Sequence, residues 1–208
     1  MANSILRKVI QVMGRTKCIR LFAMKDISFW ISIFATMAFA VTGVLAIADR
    51  GVDLFGVLVL GLITAIGGGT IRDIILEAPV FWSENQIYVW LALGASVLAF
   101  VAESLFTQPQ IYRSMLYLDG FGAALFAIGG TDKAWNMDFG LPVAPVIMGV
   151  VTAIGGGLLR DILAGRKTLL MSHELYAIPV TLGCCIYILI LNFFPNYTLE
   201  GSVICMLA

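Results

Sequence analysis

The chain has 208 residues, of which 60% are hydrophobic and 12% charged, with a mean hydropathy of +0.96 and a formal net charge of zero. Soluble domains carry about 25% charged and about 45–50% apolar residues, so this composition excludes an ordinary soluble core and indicates a membrane protein. The chain also lacks a basic patch interleaved with aromatic residues, which argues against a nucleic-acid partner.

A basic segment precedes the first apolar stretch. Residues 1–25 contain six lysine and arginine residues, and they lack the long apolar run and cleavage site of a signal peptide. We expect residues 1–27 to be an N-terminal extension. It is either a basic amphipathic helix at the membrane surface or a result of the chosen start site, because Met24 directly precedes the first span.

Six apolar stretches are each long enough to cross a bilayer, which takes about 20 residues. Five contain no charged residue, and the fourth contains only Asp119. In chain order the predicted spans are 27–48, 54–71, 85–102, 114–131, 139–159 and 175–199. Residues 201–208 are again apolar, so we expect a seventh helix of which this sequence holds only the start.

The strongest signal is an internal repeat. Residues 61–76 read GLITAIGGGTIRDIIL and residues 149–164 read GVVTAIGGGLLRDILA, which are identical at ten of sixteen positions at an offset of 88 residues. Each copy ends the second span of a three-span unit, and an odd number of spans turns the second unit over in the membrane. We therefore predict an all-α polytopic membrane protein with two inverted three-helix repeats. Its predicted parts are 28–104 (first repeat), 105–113 (connecting loop), 114–194 (second repeat) and 195–208 (start of the seventh helix).

Each repeat contains three successive glycines inside its second span. They are Gly67, Gly68, Gly69, Gly155, Gly156 and Gly157. Each triplet follows a stretch of about 20 Å of helix, within an apolar core about 30 Å thick, and glycine costs a helix about 1 kcal/mol per residue. We interpret the triplets as helix breaks whose freed carbonyls face a cation pathway, so that alanine there would reduce flux without loss of assembly. Close helix packing stays open as the alternative, because small residues recur every four positions.

Five charges are predicted to lie within a span or directly after the glycine-bearing spans, where charged side chains usually face the bundle interior. They are Arg72, Asp73, Asp119, Arg160 and Asp161. Adjacent residues of a helix point in different directions, so neither arginine needs to pair with the aspartate beside it, and each could meet an acid of the other half. Two roles stay open: salt bridges that hold the halves together, or charges of a polar pathway and its gate.

Catalytic and metal chemistry have little support in the sequence. The four cysteines form no Cys-x-x-Cys pair, His173 is the single histidine, and no nucleophile–base–acid set is visible. We expect no enzyme activity, no metal site and no cofactor.

The doubled GGGxxRD motif in a 3+3 arrangement resembles the prokaryotic relatives of the trimeric intracellular cation channels, which are also labelled a glycine-transporter domain family. The resemblance covers residues 28–200 and implies seven helices, a homotrimer with one pore inside each protomer, and conduction of K⁺ and Na⁺. It also implies that the kinked second and fifth helices line the pore. The triplets Gly67–Gly69 and Gly155–Gly157 then lie at the kinks, and the two Arg-Asp pairs that follow become candidate pore or gate charges. The incomplete seventh helix and the basic N-terminal extension depart from the family pattern.

We predict a passive monovalent cation channel, with K⁺ or Na⁺ and the lipid bilayer as partners. The alternative is a secondary transporter of a small solute such as glycine, with the helix ends after the triplets binding a carboxylate and Asp119 binding the ammonium group. A purely structural scaffold leaves the buried charges unexplained.

The predicted location is the inner (plasma) membrane of a prokaryote. Loop charges favour an outside N-terminus, because Arg50, Arg113, Arg166 and Lys167 lie on one side and Lys133 on the other. The basic residues before the first span favour the reverse orientation.

Overall fold

The computed structural model describes residues 29–48, 50–103, 108–168 and 177–193, and over these residues the regular structure is entirely helical. The helices are α1 Phe29–Leu45, α2 Leu54–Ile75, α3 Phe81–Glu84, α4 Ile87–Glu103, α5 Gln108–Asn136, α6 Val143–Leu163 and α7 Ala177–Phe193. Each of the six predicted spans corresponds to one long helix. The predicted extension 1–27 and the start of the seventh helix, 195–208, lie outside the described residues.

Apolar side chains cover much of the outer surface of the bundle. Phe55, Trp90, Leu98 and Tyr117 are each more than two-thirds exposed. Water-soluble proteins rarely expose a large continuous apolar surface, whereas a bilayer solvates it and leaves the backbone polar groups to be satisfied within helices. By length and composition α2 and α6 are able to cross a membrane, and α1, α4 and α7 are shorter apolar helices of 10–17 residues.

The two glycine-bearing helices end in the same way. In each, the amide that follows the last helical residue donates to the carbonyl of the motif arginine, Arg72 in α2 and Arg160 in α6. The next residue takes a left-handed conformation, with φ of 52° at Glu77 and 58° at Gly165. This type of helix end satisfies otherwise unpaired carbonyls. The structural repeat therefore extends past the sequence motif at the same offset of 88 residues.

The first helices of the two halves are related by an offset of 87 residues. Gly43 of α1 faces Thr64 of α2, and Gly130 of α5 faces Thr152 of α6. In both places a Cβ atom on the glycine would lie closer than 3.0 Å to the threonine side chain. The same close contact therefore holds the first helix of each half against its glycine-bearing helix.

Phe39 of α1 and Phe126 of α5 form an aromatic pair at the centre of the bundle. Their rings stack with centroids 5.4 Å apart, and both side chains are buried. Because the two residues are equivalent at the offset of 87, their contact lies at the pseudo-two-fold axis that relates the halves. The core is thus shared by both halves.

Candidate functional site

The centre of the candidate site is the crossing, which we define as the contact of α2 and α6 at Gly68 and Gly156. A Cβ atom on Gly68 would lie closer than 3.0 Å to the carbonyl oxygen of Thr152, and one on Gly156 would be equally close to the carbonyl oxygen of Thr64. The pairing 64 with 156 and 68 with 152 shows that the helices run antiparallel, as an inverted repeat requires. Glycine at these two positions allows the backbones to approach directly.

The helix breaks predicted at the glycine triplets are wrong. Helix α2 continues without interruption through Gly67–Gly69, and α6 continues through Gly155–Gly157. The backbone carbonyls of these turns are therefore part of regular helix and are not freed to face a cation. Intrinsic helix propensity is a weak preference, and here tertiary packing overrides it. Close packing, the alternative left open by the sequence, is the arrangement observed.

The outer glycines of the triplets have different neighbours. A Cβ atom on Gly67 would lie 2.6 Å from Leu159 Cδ1, and one on Gly69 would lie 2.5 Å from the ring of Phe81. At Gly157 the nearest atoms, on Arg160 and Asp119, are 3.5 Å away, which is an ordinary contact. The need for glycine is therefore strictest at the crossing, where the neighbour is backbone.

Three charged side chains meet beyond the crossing at the end of α2; we call Arg72, Asp73 and Lys133 the α2 cluster. Arg72 Nε lies 2.7 Å and Lys133 Nζ 2.8 Å from the same oxygen, Asp73 Oδ1. Asp73 is fully buried, whereas 29% of the Lys133 side chain is exposed. The second oxygen of Asp73 accepts from the Phe81 amide at 2.9 Å. The α2 cluster is therefore open to solvent on the lysine side.

Three further charges meet at the end of α6; we call Asp119, Arg160 and Asp161 the α6 cluster. Arg160 Nε lies 2.8 Å from Asp161 Oδ1, and Arg160 Nη1 pairs with Asp119 Oδ1. The arginine is 0% exposed, and both acids are buried. Among the described residues, Asp119 Oδ2 and Arg160 Nη2 have no hydrogen-bond partner. The α6 cluster is thus sealed from solvent in this conformation.

The two clusters lie on opposite sides of the crossing. Arg72 and Arg160 each follow the crossing glycine of their helix by four residues, a rise of about 6 Å. Because α2 and α6 run antiparallel, these rises point in opposite directions. The five charges predicted for the site are therefore divided between two places more than about 12 Å apart along the helices, because the pairing of Gly68 with Thr152 and of Gly156 with Thr64 also offsets the two glycines.

The pairing of an arginine with an acid of the other half, which the sequence leaves possible, is not observed among the described residues. Among the described residues, Arg72 pairs with the adjacent Asp73, and Arg160 pairs with Asp161 and Asp119 of its own half. Although adjacent side chains leave a helix in different directions, the arginine side chain is long enough for its Nε atom to reach the carboxylate of the next residue. In the part of the chain that the structure describes, the ion pair that joins the halves is Lys133 with Asp73.

Sequence reasoning missed Lys133 and the short helix α3. The predicted fourth span ends at residue 131, which assigns Lys133 to a loop. In the structure α5 continues to Asn136, and Lys133 contacts Asp73. In α3 the Phe81 ring packs on Gly69, and the Trp82 indole donates to Thr70 at 2.9 Å. Two neighbouring aromatic residues soon after a predicted span were the available signal for this contact.

The comparisons with known proteins agree with this architecture. A family model described as "Glycine transporter" matches residues 29–104 and 116–192, one segment in each half of the chain. The chain belongs to the glycine-transporter domain family. Its relatives in this family include the UPF0126 inner membrane protein YadS of Escherichia coli K12, which is 42% identical over 158 residues, 74% of each chain. The membership confirms a polytopic membrane protein.

Solved structures of family members show the same fold. The trimeric intracellular cation channel orthologue from Rhodobacter sphaeroides matches with a TM-score of 0.81 and 34% identity, over 86% of this chain and 91% of that one. A prokaryotic channel of the same kind, crystallised in 0.5 M KCl, matches with a TM-score of 0.80 and 26% identity, over 88% and 95%. The resemblance to prokaryotic trimeric intracellular cation channels, which the doubled motif indicates, is thereby confirmed.

Proposed function

We propose that the protein is a monovalent cation channel, and not an enzyme, that conducts K⁺ and Na⁺ as a homotrimer with one pore inside each protomer. The observation that carries this proposal is the structural likeness to the trimeric cation channel of Rhodobacter sphaeroides at 34% identity. The two segments that the family model matches also support a division into repeats 28–104 and 114–194, with 105–113 between them.

The proposed path runs past the crossing, from the α2 cluster to the α6 cluster. Buried charges are costly in a membrane protein and mark ion pathways. The glycines at 67–69 and 155–157 keep side chains out of the crossing, so the path is bounded there by backbone. Because Arg160 and Asp119 are sealed in this conformation, we assign the closed barrier to the α6 cluster. Opening requires this buried pair to be exposed to water.

A transporter of a small solute such as glycine is the alternative, and the description of the family model names that activity. It requires Asp119 to bind the ammonium group of the solute. That side chain is 1% exposed, and one of its oxygens is already paired with Arg160. This pairing occupies the carboxylate that would bind the ammonium group. It therefore favours the channel, which needs only weak sites along a wet path.

The proposal is tested on one preparation of purified protein. We expect K⁺ currents with discrete steps in a planar bilayer, and no accumulation of labelled glycine above that of empty vesicles in matched proteoliposomes. Addition of NaCl to one chamber gives the Na⁺ to K⁺ permeability ratio from the reversal potential. Glycine uptake without current would replace the channel by the transporter.

We also propose that the N-terminus lies outside the inner membrane. Lys133 is engaged with Asp73, so it no longer counts as a free loop charge on the N-terminal side. The basic residues of the opposite loops then set the orientation, since such loops face the cytoplasm. In intact cells, Gln110→Cys is expected to resist a membrane-impermeant thiol reagent and to react after the cells are opened. The unchanged chain is the control for the native cysteines, and labelling of Gln110→Cys in intact cells would reverse the orientation.

A further inference from the structure

The two clusters occupy equivalent places but differ in charge. At the offset of 88, Arg72 and Asp73 correspond to Arg160 and Asp161. The third member of each cluster comes from α5 and has no charged equivalent in α1. Counting each arginine or lysine as +1 and each aspartate as −1, the α2 cluster carries +1 and the α6 cluster −1.

The two clusters differ because of two positions in α5 that carry a charge where α1 carries none. At the offset of 87, Asp119 corresponds to Ser32 and Lys133 corresponds to Ala46. The offset rests on observed contacts, since Gly43 and Gly130 face equivalent threonines. Without Asp119 and Lys133, each half would therefore carry the same neutral Arg-Asp pair.

We propose that Asp119 and Lys133 make the path directional, so that the open channel passes more K⁺ from the α6 cluster towards the α2 cluster than in reverse. This inference rests on the proposed channel function and concerns the current through an open pore, not the frequency of opening. Cations that enter past the α6 cluster are concentrated by its net negative charge. Cations that enter from the other end first meet a net positive charge, which depletes them.

The charged side chains on the surface near each cluster have the opposite sign to that cluster. Glu77, Glu84 and Asp138 lie at the α2 end, and Arg50, Arg166 and Lys167 lie at the α6 end. These groups are mainly exposed, so salt screens them, with a Debye length of about 3 Å at 1 M. The buried clusters are screened much less. Recording in 1 M KCl therefore isolates the contribution of the clusters.

The test compares open single-channel currents at equal and opposite voltages in symmetrical 1 M KCl. In the unchanged protein we expect the two currents to differ by a factor of about two or more. The double variant Asp119→Ser/Lys133→Ala gives both halves the same Arg-Asp pair, and its ratio is expected to fall to about one. Lys167→Ala is the matched control and should keep the original ratio, because that residue is exposed.

The orientation of each channel in the planar bilayer is determined with Gln110→Cys. This residue lies at the α6 end, so its cysteine reacts with an impermeant thiol reagent from one chamber only. If the double variant does not assemble, Lys133→Ala alone, at a partly exposed position, must still lower the ratio. A ratio of one in the unchanged protein, the opposite direction, or an unchanged ratio in the variants overturns the inference. Absence of current from every variant and from the unchanged protein would instead contradict the channel function.

Discussion

Alanine in place of Gly68 or Gly156 is expected to remove most of the assembled protein. In each case the new methyl group would overlap a backbone carbonyl oxygen of the facing helix, which cannot rotate away as a side chain can. Overpacking of a core costs typically about 1–3 kcal/mol, and we expect the upper end or more because α2 and α6 must separate. This result opposes the flux loss without loss of assembly that a helix break predicts.

The measurement is the fraction of expressed protein that elutes as the intact oligomer in mild detergent, together with its melting temperature. Gly94→Ala and Gly129→Ala are matched controls, because a Cβ atom at either position meets nothing within 4 Å. Alanine is the better helix former by about 1 kcal/mol, so these controls should be neutral or slightly stabilised. Full assembly of Gly68→Ala with reduced current would show that the glycine shapes the path but is not needed for the packing of α2 on α6.

The second large effect is expected at Arg160 and not at its equivalent, Arg72. Arg160→Ala removes the cation that pairs with both of the buried aspartates, Asp119 and Asp161. Removing one member of a buried ion pair costs about 3–5 kcal/mol in a protein interior. We therefore expect Arg160→Ala to lose the oligomer. After Arg72→Ala, the Lys133 ammonium still neutralises Asp73, so this variant should assemble.

Size-exclusion profiles of the two alanine variants, expressed side by side, give the comparison. Lys133→Ala combined with Arg72→Ala removes both cations of the α2 cluster and should then fail as Arg160→Ala does. This double variant checks that the tolerance of Arg72→Ala comes from the lysine. If Arg160→Ala assembles normally, the α6 cluster is hydrated and its arginine is not needed for stability.

The helical architecture could be predicted from the sequence because both of its signals are local. Long uncharged stretches mark spans, and a repeat of three spans implies inversion whatever the tertiary contacts are. The short helix α3 could not be predicted, because its position depends on the contact of Phe81 with Gly69 and Asp73. Such a contact leaves no periodic pattern in the sequence.

Five of the six charges of the two clusters could be named from the sequence as candidates, but Lys133 and the ion pairs among the six could not. The motif identifies Arg72 and Arg160 as equivalent, whereas the third charge of each cluster, Lys133 or Asp119, comes from α5 and has no charged equivalent in α1. The helix breaks were predicted wrongly because glycine destabilises an isolated helix. The stabilising contact of the glycine with the backbone of the other half was not taken into account. That contact depends on a residue 88 positions away.

The contact between Gly68 and Gly156 has a consequence for biosynthesis. At about 5–20 residues per second, the ribosome makes the second glycine on the order of ten seconds after the first. During this interval α2 is in the membrane with its glycine groove unfilled. The groove fits α6 of any copy equally well, so neighbouring nascent chains could exchange halves. Efficient production of correctly paired protomers therefore depends on the nearness of a chain's own second half.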